Sequence, residues 1–86
     1  MPYTKQTSRD RVDPLIDKLS GELIRMDKGD VCYALTKLID NIYTQGIFNL
    51  YADALGVLQA TTLEYYRRVI APHEDRKCKE NGDVFD

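Results

Sequence analysis

Leu50–Ile70 reads L-Y-A-D-A-L-G-V-L-Q-A-T-T-L-E-Y-Y-R-R-V-I and is the longest periodic stretch of the chain. Tyr51, Ala54, Leu55, Leu58, Thr62, Tyr65, Tyr66 and Val69 recur at the i, i+3, i+4, i+7 spacing of a helix, so they predict one apolar stripe, the expected core face. A weaker row, Ala52, Gly56, Leu63 and Ile70, falls roughly 100° or more around the same helix. One neighbouring layer cannot cover both rows. The second is therefore expected to meet another subunit.

The rest of the chain reads the same way. Val12, Leu15, Ile16, Leu19, Leu23 and Ile24 share a helical face, with Pro14 in a first turn capped by Asp13 or, if the helix starts at Ser8, kinking it. Gly21 weakens this segment and predicts a break near Ser20. Asp27-Lys28-Gly29-Asp30 is a turn by composition, with Asp30 as the expected cap of a second helix. That helix carries Val31, Ala34, Leu35, Leu38, Ile39 and Ile42 on one side, and Lys37, Asp40 and Thr44 on the other. Gly46 is its expected stop, Ile47 and Phe48 a short apolar connection, and Asn49 the cap of the third helix.

Pro72 is expected to end or redirect the third helix, since it has no N–H to donate to the preceding turn. A short C-terminal helix then begins with acids, continues with bases and closes at Asn81-Gly82, matching the helix dipole. Residues 1–7 form an arm and residues 83–86 a tail. The expected fold is a single all-α domain over residues 1–86, a small bundle of three main helices plus a short C-terminal helix, completed by oligomerisation.

Length and composition bound the function. The chain has 86 residues, so its core is small and its stability margin narrow. A net charge of −2 argues against a general nucleic-acid or membrane-surface binder, which needs a basic face. No run approaches a membrane span, and Met1–Asp10 is polar throughout, so a cytoplasmic protein is expected. Cys32 and Cys78 fit no zinc spacing and read as free, buried thiols. Six tyrosines supply rings with a polar tip, suited to contact surfaces.

Four features could carry chemistry. Glu64, Glu74, Asp75, Glu80 and Asp83 flank Pro72, but they lack the paired helical spacing of carboxylate metal sites, and Glu64 has Arg68 as an i+4 partner. Tyr65-Tyr66-Arg67-Arg68, with Arg76, Lys77 and Lys79, could stack bases and hold phosphates, although the tyrosines belong to the expected core stripe and the nearby acids dilute the charge. His73 has no nucleophile motif beside it and reads as structural, while Cys78 has basic neighbours that could activate it but reads as a half-buried helix thiol. Tyr33 lies among the polar residues of the second helix and is a candidate partner contact, together with Arg67 and Arg68.

The segment Y-R-R-V-I-A-P-H-E-D-R-K-C-K-E-N-G-D-V-F, with D-V-C-Y-A-L-T-K-L-I earlier, resembles a family of short uncharacterised proteins common in bacteriophage and prokaryotic genomes. That resemblance implies a phage or prophage setting and no particular activity. A fainter likeness, in D-K-L-S-G-E-L and Y-A-D-A-L-G-V-L, is to the all-α nucleoside triphosphate pyrophosphohydrolases of the MazG type, which hold magnesium with an E-E-x-x-E motif and a later E-x-x-D. Ser20, Gly21 and Ile24 stand where the first three glutamates would be, Leu50 stands for the later one, and only Asp53 remains. What this likeness implies would then rest on Asp53 with Glu64 or Glu22 on magnesium. The function expected first is a non-enzymatic interaction module, without cofactor or catalytic residues, that binds itself and an unidentified protein.

Overall fold

A computed structural model of the protein describes residues 2–43 and 48–85. It is all-α. Helix α1 spans Gln6–Leu23, α2 Lys28–Ile42 and α3 Phe48–Tyr65; a π-helical turn, Tyr66–Ile70, joins α3 to α4, Ala71–Asn81. No strand occurs among the described residues. The chain divides into two units, Met1–Ala54 and Leu55–Asp86. The expected stop at Gly46, the connection at Ile47 and the polar placement of Thr44 lie outside the described residues.

Local chemistry explains most of the boundaries, and corrects several expectations. α1 starts two residues before Ser8, takes in part of the expected arm and has no side-chain cap; the Lys5 carbonyl instead accepts from the Ser8 and Arg9 N–H groups. Pro14 therefore lies inside the helix, where an interior proline costs about 3 kcal/mol. Gly21 does not break it. The helix runs on to Leu23 because a helical glycine loses only about 1 kcal/mol against alanine.

At α2 the cap is Asp27 and not Asp30. Asp27 Oδ1 accepts from the Asp30 N–H at 3.1 Å, while Asp30 Oδ2 accepts from the Asp27 N–H at 3.4 Å, a reciprocal capping box. Asn49 likewise lies within α3 and does not cap it, since the helix already includes Phe48.

Pro72 neither ends nor breaks the third helix. The backbone stays helical through Ile70 and Ala71, and the Ala71 N–H donates to the Tyr66 carbonyl, five residues back. In a regular α-helix the proline ring would press on the carbonyl four residues before it, so a wider turn just ahead of it relieves the clash. Thr61 and Thr62 hydrogen-bond the Val57 and Leu58 carbonyls at 2.8 and 3.0 Å, one turn earlier, a pattern that also bends helices. Gly82 closes α4 with φ 93°, a conformation that other residues resist.

Burial departs furthest from expectation. Among the described residues only Ala54 is buried. In the first unit Leu23, Ala34, Ile39, Tyr43 and Leu50 are half-buried, and in the second Glu64, Ile70 and Ala71 are. The expected core stripe of α3 is thus exposed at every member except Ala54. In the first unit the covered residues of this helix are Leu50 and Ala54, one turn apart, and in the second Glu64. Both cysteines are exposed free thiols, which corrects their reading as buried.

Candidate interaction surfaces

Within α3 a rotation of about 100° per residue assigns each side chain to a face. Asp53 and Glu64 are the only charged residues of α3. They are eleven positions apart, so they lie within about 20° of each other on the helix wall; Asp53 is exposed and Glu64 half-buried. Phe48, Ala52, Leu55, Gly56, Gln59, Thr62 and Leu63 are exposed and none is charged, and Gly56, three residues after Asp53, is its neighbour on the helix wall. Phe48 is 80%, Leu55 68% and Leu63 63% accessible.

Of the four residues expected to meet another subunit, Ala52 is exposed in the first unit and Gly56 and Leu63 in the second. Ile70 does not join them. It is half-buried and belongs to the π-helical turn, which closes on the fifth residue and so shifts its register. Phe48 and Leu55 were missed as surface residues, one assigned to a connection and the other to the core.

Of the basic and aromatic group, Tyr65 ends α3, Tyr66, Arg67 and Arg68 lie on the π-helical turn, and Arg76, Lys77 and Lys79 lie on α4. Arg67 Nη2 donates to Glu64 Oε1 at 2.8 Å, so the expected Glu64–Arg68 pair is replaced by one at i+3. Both spacings are helical neighbours, and one carboxylate oxygen satisfies the nearer cation. Arg68 is exposed, as are Tyr65 and Tyr66, so these two tyrosines are surface residues and not core. Lys77 pairs with Glu80 at 3.2 Å. In the first unit Tyr33 stands out from α2, 69% accessible.

The carboxylates considered for magnesium are dispersed in use. Glu64 holds Arg67, Glu80 holds Lys77, and Asp83 accepts from the Phe85 N–H at 2.9 Å. Among the described residues no three His, Cys, Asp or Glu side chains converge on a common point, and Glu22, Asp53 and Glu64 form no such group. No helix among them is long and apolar enough to cross a membrane.

These features define a small all-α protein in which most large apolar and aromatic side chains among the described residues are exposed. The chain belongs to the family described as Domain of unknown function (DUF6899), whose model matches residues 1–84. No curated protein and no solved structure matches the chain. Membership fits the resemblance to an uncharacterised family, and the comparisons add no support to the likeness to MazG-type hydrolases.

Proposed function

We propose that this chain is a non-enzymatic helical interaction module that self-associates, a phage or prophage accessory protein acting in the cytoplasm. The observation that carries this reading is the burial of a single side chain, Ala54, among the described residues. Ordering each residue costs about 1–2 kcal/mol of backbone entropy, and most helical stability in proteins comes from packing an apolar face rather than from propensity. Exposed apolar faces such as Leu15, Ile16 and Leu19 on α1 and Leu35, Leu38 and Ile42 on α2 must be covered for the fold to persist. Copies of the same chain supply that cover wherever the chain is made. Tyr33, Arg67 and Arg68 are left for a different protein partner, since aromatic and arginine side chains dominate the energetics of contact surfaces.

Sedimentation equilibrium of the full chain at micromolar concentration tests the reading. A dimer or larger species is expected, together with a midpoint of thermal unfolding that rises with protein concentration. A monomer with a concentration-independent midpoint would overturn it.

A further inference from the structure

We propose that two copies of this chain dock antiparallel across Ala71, with Arg67 of each copy set against Asp75 of the other. The inference rests on the self-association proposed above and assigns it a place within the second unit, Leu55–Asp86. It also draws Arg67 into that contact, so Tyr33 and Arg68 remain for a different partner.

The acids after Pro72 lack a purpose in the single chain. Glu74 stands in the first turn of α4, where an acid ordinarily serves an open helix start. Here the start is not open, because the backbone is already helical at Ile70 and the Ala71 N–H donates to the Tyr66 carbonyl. Glu74 and Asp75 are both exposed, and neither makes an ion pair among the described residues.

A second copy supplies the missing cations in the right place. A regular helix turns about 100° per residue, and five residues of the π-helical turn cover the rotation of about four. Counted from Ala71, Arg67 lies four residues back and about 40° to one side, while Asp75 lies four residues on and about 40° to the same side. Tyr66 and Glu74 lie about 40° and 60° to the other side. A two-fold axis at Ala71 brings a residue before it against the residue as far after it on the same flank of the other copy. Arg67 then meets Asp75, and the Tyr66 hydroxyl can donate to Glu74. The two Arg67 side chains stand roughly 10 Å apart along the helix, on opposite sides of the axis. A parallel pair would instead set Arg67 on Arg67 and Asp75 on Asp75, so charge selects the antiparallel one. Arg67 keeps Glu64 in this arrangement, since a guanidinium carries several donors and its side chain is mostly exposed.

Sedimentation equilibrium and circular dichroism of the full chain carrying Asp75→Arg, Arg67→Glu or both provide the test. Either single change sets like charges together at both symmetry-related contacts and is expected to raise the dissociation constant of the assembly about tenfold or more. The double variant restores opposite charges and is expected to return the constant to within about threefold of the wild type. Asp75 is exposed and makes no ion pair in the chain, so Asp75→Arg is expected to keep its helicity. An assembly that withstands Asp75→Arg overturns this pairing while leaving self-association standing, as does a folded double variant no tighter than Asp75→Arg. A wild-type chain that sediments as a monomer overturns both.

Discussion

Glu64 is held by Arg67, one turn ahead at i+3, with Arg67 Nη2 and Glu64 Oε1 2.8 Å apart, and Arg68 is left facing solvent. The two adjacent arginines therefore differ in role, one anchored to the helix that carries it and the other available to a partner. The pair sits where α3 widens into the π-helical turn, so its acid is half-buried while its base is mostly exposed.

Removing either arginine should cost little stability, for different reasons. Arg67→Ala is expected to destabilise the chain by about 0.5 kcal/mol or less, because solvent screens an exposed i,i+3 pair. Arg68→Ala should leave stability unchanged within error. Urea unfolding of both variants checks this, and a loss above about 2 kcal/mol for Arg68→Ala would mean that its side chain is buried in an interface.

The capping box at Asp27 and Asp30 should be worth more than any surface ion pair. Asp27→Ala leaves the Asp30 N–H without its acceptor and is expected to cost about 1 kcal/mol, with loss of helicity at the start of α2. Asp27→Asn should retain most of the stability, since its side-chain oxygen can still accept. Equal losses in thermal unfolding for the two variants would argue that the charge, and not the hydrogen bond, supports the helix.

Pro72 should prove to be the cause of the π-helical turn. Pro72→Ala restores a donor and removes the ring, so it is expected to raise helicity and stabilise the chain by more than about 1 kcal/mol. Hydrogen exchange would then show a slowed amide at position 72. A destabilised variant would indicate that the wide turn is held by other contacts, with Thr61 and Thr62 the first to examine.

Cys32 and Cys78 should both react with a thiol reagent in the folded protein without denaturant, because both are exposed. Protection of either in the assembled state, lost on dilution, would map an interface onto α2 or α4.

Nucleoside triphosphates with magnesium should leave the thermal midpoint unmoved. A ligand present at 100 times its dissociation constant would add about 2.7 kcal/mol, worth several degrees in a domain of this size. A magnesium-dependent rise would revive the hydrolase likeness and direct mutagenesis to Asp53.

Helix content was open to sequence reading because it depends on spacing that any solvent-facing helix must show. The periodic runs in α1, α2 and α3, and the acid-to-base order and Gly82 closure of α4, all became helices. Boundaries were less legible. Asp27 and Asp30 are both good caps, and only the reciprocal hydrogen bonds distinguish them. Pro72 reads as a stop unless a wider turn is allowed for, and nothing in the residue spacing announces such a turn. Exposure was less legible: Phe48 reads as a connection and Leu55 as core, yet both are exposed, while Ile70 falls half-buried on the π-helical turn.

The sequence by itself determined that the protein is all-α and that its third helix carries more apolar surface than one neighbour can cover. Only the tertiary structure decided which side of that helix is covered. Periodicity places residues on faces by rotation about the helix axis, but it contains no information on where the next element lies. On α3, apolar residues occupy almost every direction, so pattern alone favours the stripe through Leu55 and Leu58. In the first unit the structure covers Leu50 and Ala54 and leaves Phe48 exposed, and in the second it half-buries Glu64 and leaves Leu55 and Leu63 exposed.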